Sequence, residues 1–129
     1  VSSYRDLDVW RLAMKLAENI YYVTHAFPHR ETYALSSQLQ RAAVSVASNI
    51  AEGHARGYTK DYLRFIAMAM GSLAELETQL ELSTRLKYVD ENESNKLLGN
   101  ADELGRMLRG LHKSLHAKFS SPQPLAPHS

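Results

Sequence analysis

The chain has 129 residues, a formal net charge of +1 at pH 7 and 44% hydrophobic residues, and its length predicts one domain. No run approaches the roughly 18 apolar residues of a membrane span, so we expect no membrane partner. The absence of cysteine excludes disulfides and cysteine-based zinc sites, and with no secretory leader in view we expect a cytoplasmic protein.

The first predicted helix runs from Leu7 to Phe27. Asp6 is the expected N-cap, and Pro28 ends the helix because proline cannot continue it. Apolar residues recur at three- and four-residue spacing, which is typical of one buried helical face. That predicted face consists of Trp10, Ala13, Ala17, Ile20, Thr24 and Phe27.

The second predicted helix, SSQLQRAAVSVASNIAEG from Ser36 to Gly53, has an unusually wide apolar side. Its apolar residues fill about 200° of the helix circumference, against the roughly 100° that one core needs. We therefore expect this helix to be covered from two directions. The sequence EGHARG, ending at Gly57, supplies glycines for a left-handed C-terminal cap.

The third predicted helix begins at Asp61 after a Thr59 cap and runs to about Lys87. Its core stripe is joined by a second apolar arc, so helices two and three both carry more apolar surface than one core consumes. Self-association is the simplest explanation. The predicted oligomer interface consists of Ala43, Val44, Ala47, Leu63, Ala67 and Met70.

The fourth predicted helix follows the turn YVDENES, with Ser94 or Asn92 as its cap, and runs to about Phe119. Residues 1–119 are therefore the predicted bundle domain. Residues 120–129 carry three of the four prolines and no apolar period, so we expect a disordered Pro/Ser-rich tail. Four helices with short connections predict an all-α, up-down-up-down four-helix bundle.

Alternating helix directions bring nine basic residues and four acidic ones to one end of this bundle, which we call the basic end. The basic residues are Arg5, Arg11, Arg56, Lys60, Arg64, Arg106, Arg109, Lys113 and Lys118, and the acidic ones are Asp6, Asp8, Glu52 and Asp61.

Such an end attracts phosphate backbones. The alternative is that cations near helix C-termini only oppose the helix dipole and solubilise the surface. That alternative accounts for Lys113 and Lys118 but not for Lys60 and Arg64, which lie in the first turns of helix three. The candidate nucleic-acid contacts are Arg56, Lys60, Arg64, Arg109 and Lys113.

A polar stripe on helix two, with Glu75 on helix three as a partner, predicts a structural network, because a buried charge without a partner is very costly. Its members are Arg41, Ser45, Asn49, Glu52 and Glu75. The alternative, a carboxylate metal site, would need the Glu-x-x-His pairs that di-iron bundles use, and the sequence has none.

His112 and His116 have a chelating spacing but lack the acidic residue of an HExxH motif. No nucleophile elbow or Gly-rich phosphate loop is present. We therefore expect no catalytic, cofactor-binding or metal-binding residues, and no enzyme.

Four blocks in order, LDVW, LSSQLQRAAVSVASNIAEG, TKDYLRFIAMAMGSLAELETQLE and KYVDENES, resemble bacterial four-helix bundle proteins encoded in 23S rRNA intervening sequences. The resemblance covers about Tyr4 to Phe119 and implies a left-handed up-down-up-down bundle, a homopentamer and no enzymatic activity. A structurally related accessory protein of diversity-generating retroelements is a basic pentamer that engages nucleic acid and a reverse transcriptase. The family's hallmark positions match Gln38, Arg41, Ser45, Asn49, Glu52, Gly53, Ser72, Glu75 and Glu77.

Residues and resemblance together predict a non-catalytic homo-oligomeric bundle that binds rRNA or other structured nucleic acid through its basic end. The alternative is a scaffold or adaptor that binds another protein and has no nucleic-acid role. Sequence-specific base readout is not expected, because Tyr58 is the only aromatic residue evident among the cations of that end.

Overall fold

The structure, a computed structural model, describes residues 3–120. Within this range the secondary structure is helical throughout, with no strand, which confirms the all-α class. Two short 3-10 turns precede the first and second long helices. The elements are the 3-10 turn Tyr4–Asp6, α1 (Asp8–Thr24), the 3-10 turn His29–Glu31, α2 (Leu35–Arg56), α3 (Thr59–Arg85) and α4 (Glu91–Ser120).

Contacts between helices show that neighbouring helices run in opposite directions. Between α2 and α3, the Ser45 and Ser72 hydroxyls lie 2.8 Å apart, and the Gln79 amide donates to Gln38 over 3.4 Å. Residue numbers therefore fall along one helix as they rise along the other.

The same opposition holds between α3 and α4. The Thr84 and Ser94 hydroxyls lie 2.6 Å apart, and Leu73 lies beside Gly105 further along both helices. Each helix packs on the next in sequence, and α4 closes the bundle against α1. The four-helix architecture is confirmed, and its left-handed sense stays a prediction.

Helix α2 is covered from two directions within the single chain, as its wide apolar arc predicts. It packs against both α1 and α3, and its side chains at five core positions are nearly inaccessible to solvent. This intramolecular burial already accounts for much of the apolar surface that we attributed to self-association. The buried residues at these positions are Ala42, Ala43, Val46, Ala47 and Ile50.

All three predicted N-caps are wrong. Asp6 belongs to the first 3-10 turn, and α1 begins after Leu7 without a side-chain cap. Thr59 is the first residue of α3 itself. Helix α4 begins three residues earlier than Ser94, because the Asp90 carboxylate accepts hydrogen bonds from the backbone N–H groups of Asn92 and Glu93 at 3.1 and 3.2 Å.

The helix C-termini follow the sequence more closely. Gly57 ends α2 with a φ of 80°, as predicted. Lys87 ends α3 with a φ of 64°, and the N–H groups of Lys87 and Tyr88 bond back to the carbonyls of Thr84 and Ser83. That pattern is a Schellman motif with lysine at the left-handed position, where glycine is usual. The sequence therefore gives no glycine signal for this helix end.

The predicted ends of α1 and α4 both shift. Helix α1 ends at Thr24 rather than Phe27, because the chain turns so that the Phe27 N–H bonds to the Thr24 carbonyl before Pro28. Helix α4 includes Ser120, one residue beyond the predicted domain boundary. The rest of the predicted tail lies outside the described residues. No helix within residues 3–120 is long and apolar enough to span a bilayer.

Gly53 allows the closest approach of α2 to α3. A Cβ atom added at Gly53 would lie 2.7 Å from the Phe65 Cβ and 3.2 Å from Cδ1 of Tyr62. Any side chain at this position would therefore push the two helices apart.

We expect Gly53→Ala to lower the free energy of unfolding by about 1 to 3 kcal/mol, the usual cost of overpacking. Gly99→Ala is the matched control, because nothing lies within 4 Å of the new Cβ; replacing glycine in an exposed helix should raise stability by up to about 1 kcal/mol. Urea unfolding followed by circular dichroism measures both. Equal effects of the same sign would contradict the close-approach explanation.

Candidate functional site

Three of the predicted nucleic-acid contacts gather at the turn between α2 and α3. Arg56, Lys60 and Arg64 are exposed there. The guanidinium carbons of Arg56 and Arg64 lie 5.0 and 4.8 Å from the ring centroid of Phe65. Lys60 and Arg64 are four residues apart on α3, so they share one helical face. We call these three residues the turn cluster.

Phe65 positions the two guanidinium groups. Its side chain is only 5% exposed, and Gly53 lets it approach the α2 backbone. Cation–π attraction of this kind is worth about 0.5 to 1 kcal/mol at an exposed site. The pairing of Arg64 with Phe65 is adjacent in sequence, but the contact from Arg56 depends on the packing of α2 against α3. Sequence analysis therefore missed the role of Phe65.

The charge of the turn cluster is only partly compensated. Arg56 donates to the Glu52 carboxylate over 3.1 Å, an exposed pair within one helix. Lys60 and Arg64 form no ion pair with any residue between 3 and 120. The first two turns of α3 thus present two cations, and Lys60 lies among the first backbone amides, which helix geometry leaves unbonded.

The other two predicted contacts lie on α4 rather than at the turn between α2 and α3. Arg109 lines a groove between α3 and α4 together with Glu77 and Asp102, and Asp102 also binds Arg106 at 3.1 Å. Two carboxylates face Arg109 there, so this groove does not add to the positive field as predicted. Lys113 is exposed one turn further along α4.

Glu77 is the carboxylate in that groove whose ionisation is perturbed. Its partial burial raises the pKa of the carboxyl above 4.5, nearby Asp102 and Glu81 raise the pKa further, and Arg109 partly offsets this. The charged form of Glu77 is therefore disfavoured in the folded protein.

The polar network differs from the predicted one. The Asn49 amide donates to the Ser45 carbonyl over 2.8 Å and to the Ser45 hydroxyl over 3.0 Å, and that hydroxyl meets the hydroxyl of Ser72. Ser45, Asn49 and Ser72 are half-buried and link α2 to α3. This neutral triad takes the structural role that we assigned to an ionic network.

The three charged members of the predicted network lie on the surface. Arg41, Glu52 and Glu75 are exposed, so the cost of a buried unpaired charge does not apply to them. Arg41 and Glu75 line a groove of about 440 Å³ between α2 and α3 without forming an ion pair within the described chain. The helical wheel misplaced Arg41 and Glu52 because α2 turns this stripe toward solvent, and Glu75 is exposed on α3.

The predicted oligomer residues have different environments. Ala43 is 1% exposed and belongs to the core of the chain, so it offers no surface to a partner. Val44 is 43% exposed and borders an apolar groove of about 460 Å³ between α1 and α2, in which Ala47 and Met14 also take part. On α3, Ala67 is exposed and Leu63 and Met70 are half-buried.

The histidines that the structure describes do not gather into a metal site. The rings of His112 and His116 stack with centroids 6.5 Å apart, and His54 packs edge-on against Tyr62. Among residues 3–120 no group of three or more His, Cys, Asp or Glu side chains is arranged to hold a metal ion.

The sequence between residues 5 and 110 matches the profile of a family described as 23S rRNA-intervening sequence protein. The fold is similar to the crystal structure of a protein of unknown function from the S23 ribosomal protein family of Bacteroides thetaiotaomicron. The TM-score is 0.76 at 21% identity, over 81% of this chain and 98% of the other. The comparison with curated proteins found no match.

We expect Glu77→Gln to stabilise the protein at pH 7. The raised pKa of Glu77 means that the folded carboxyl binds a proton more tightly than the unfolded one, so wild-type stability falls as pH rises through 4.5 and the raised pKa. The melting temperature of the variant should be about 1 to 3 °C higher at pH 7. This shift corresponds to a gain of up to about 0.5 kcal/mol in the free energy of unfolding, which is small because solvent screens the carboxylate. The difference should vanish below pH 4.5.

Thermal melts followed by circular dichroism at pH 4 and pH 7 measure this effect. Glu103→Gln, at an exposed position of α4, is the control and should change neither melt. A lower melting temperature for Glu77→Gln at pH 7 would show instead that attraction to Arg109 outweighs burial.

Proposed function

The chain belongs to the 23S rRNA-intervening sequence protein family, and from this premise we propose that it is a bacterial, cytoplasmic, non-catalytic bundle protein that binds structured RNA or other nucleic acid through its basic end. The observation that carries this proposal is the turn cluster. Arg56 and Arg64 flank the Phe65 ring, and Lys60 lies one helical turn before Arg64 on α3.

The expected contact is with the phosphate backbone. Cations and free amide groups at a helix N-terminus both favour phosphate, and Lys60 and Arg64 stand at the start of α3 without ion-pair partners in the described chain. Phe65 is buried and so unavailable for stacking on bases. We therefore propose recognition of nucleic-acid shape and charge rather than of base sequence.

Changing Lys60 and Arg64 together to Glu should abolish binding without unfolding the bundle, because both side chains are exposed. The probe is a labelled structured RNA in a mobility-shift titration at about 50 mM and about 200 mM salt. The logarithm of the wild-type binding constant should fall linearly with the logarithm of the salt concentration. The magnitude of this slope should decrease by roughly 0.7 to 0.9 for each phosphate that a variant no longer neutralises.

The matched control is the double variant Arg85→Glu and Lys96→Glu, which makes the same charge change at exposed positions of α3 and α4 outside the basic end. It should keep most of the wild-type affinity. If wild type binds neither RNA nor DNA at about 50 mM salt, or if both double variants lose affinity equally, the alternative of a protein scaffold replaces this proposal.

We also propose that the chain is a homo-oligomer, with five copies expected from the family resemblance alone. The supporting feature is the apolar groove between α1 and α2, where Val44 and Met14 remain exposed although their neighbour Ala47 is buried. Exposed apolar grooves on small domains commonly mark interfaces. Ala43 takes no part in this contact because it lies in the core.

Val44→Glu should dissociate the oligomer, because the interface would then bury a charge without a partner. Light scattering at micromolar concentration should give a multiple of 14.5 kDa for wild type and a mass near 14.5 kDa for the variant. Met68→Glu is the control, because it introduces the same charge at a side chain of similar exposure on another helix. Met68 is 46% exposed on α3, and Val44 is 43% exposed on α2. A wild-type mass of 14.5 kDa would end the oligomer proposal.

A further inference from the structure

A cavity lies at the end of the bundle opposite to the turn cluster. It has a volume of about 780 Å³ and is formed where the C-terminus of α1 meets the turn before α4 and the first turn of α4. Its lining combines aromatic rings with carboxylates, and His25 is the only basic residue that the structure describes in it. The residues that define this aromatic-acidic cavity are Glu18, Tyr21, Tyr22, Tyr88, Asp90 and Glu93.

Two of the three tyrosine rings are exposed to a ligand, and the third, Tyr88, is half-buried. Tyr22 is 81% exposed and Tyr21 is 49% exposed. Tyr88 is held in place because its hydroxyl donates to the Glu31 carboxylate over 2.8 Å. The chain already places a guanidinium near this ring, with the Arg30 carbon 6.0 Å from its centroid. Tyrosine rings attract cations through their negative faces.

The carboxylates of the cavity carry little compensation. Glu93 forms no ion pair or hydrogen bond through its side chain within residues 3–120, and Asp90 uses only its Oδ2 atom to cap α4. Glu18 faces Lys15 at 3.9 Å, with both side chains about two-thirds exposed, so the pair is weak. The C-terminal end of α1 adds the negative pole of its helix dipole, which the positive pole at the N-terminus of α4 opposes.

We propose that this cavity docks an arginine-bearing segment of a protein partner. A planar guanidinium stacks on tyrosine and binds a carboxylate through paired hydrogen bonds, which an ammonium group cannot do in the same way. Small-molecule sites usually enclose most of their ligand, whereas Tyr22 stands in solvent at the rim. Side chains projecting from a polypeptide fit such an open site, and its negative charge repels nucleic acid.

The proposal is independent of nucleic-acid binding at the turn cluster. It depends mainly on Tyr22, Tyr88 and Glu93, because Glu18 and Tyr21 also border the apolar groove between α1 and α2. Tyr22, Tyr88 and Glu93 do not border that groove. Asp90 is left unchanged in the test, since its carboxylate caps α4.

Fluorescence anisotropy with a labelled hexa-arginine peptide tests the proposal on the full chain. The double variant Tyr22→Ala and Glu93→Gln should weaken binding about tenfold, since removing one cation–π interaction alone costs about 2- to 5-fold. The control, Tyr58→Ala with Glu103→Gln, removes an exposed tyrosine and an exposed carboxylate elsewhere and should change affinity less than about twofold. A hexa-lysine peptide should bind wild type several-fold more weakly.

Circular dichroism melts of both double variants check that they fold. Loss of affinity in the cavity variant alone, with arginine preferred over lysine, supports the proposal. It is overturned if wild type does not bind hexa-arginine at about 50 mM salt, if both variants lose affinity equally, or if the lysine peptide binds as tightly.

Discussion

The close approach of α2 to α3 at Gly53 is the constraint on which the turn cluster depends. With no side chain at Gly53, the Phe65 Cβ comes close to the α2 backbone, and the Phe65 ring can then be buried while Arg56 reaches it from α2 and Arg64 from α3. Two turns away, the same approach brings the Ser45 and Ser72 hydroxyls into contact. One small residue thus sets both the spacing of the helices and the position of their cations.

Periodicity predicted the elements and most of the core, because apolar spacing reports directly which helix face is buried. The wide apolar arc of α2 correctly predicted that two neighbours cover this helix. Part of the surface that we attributed to a second copy is covered by a helix of the same chain. Ala43 therefore belongs to the core rather than to an interface. A helical wheel measures how much of a helix is apolar. It does not say which neighbour covers it.

The positions of charged side chains and of the N-caps were harder to predict, for a physical reason. Arg41, Glu52 and Glu75 resemble a network on a helical wheel, yet a few tens of degrees of rotation about the helix axis decide whether such a stripe faces a neighbour or solvent. The N-cap predictions were wrong for a similar reason. Aspartate and threonine are both acceptable at an N-cap, so tertiary packing selects among the candidate positions. The sequence predicted the three residues of the turn cluster as contacts. Arg109, which was predicted with them, lies instead in a groove with Glu77.

Alternating helix directions give the two ends of the bundle opposite chemistry. The turn cluster presents cations at the start of α3, and the aromatic-acidic cavity presents tyrosines and carboxylates where α1 ends and α4 begins. The apolar groove between α1 and α2 runs along about two turns of α1, from Met14 to Tyr21, and about one turn of α2, from Val44 to Ser48. Copies joined along such a groove would lie side by side, and a closed ring of them would point all its turn clusters to one face. Side-by-side assembly would therefore multiply the charge available to a phosphate backbone at the end that carries the turn clusters.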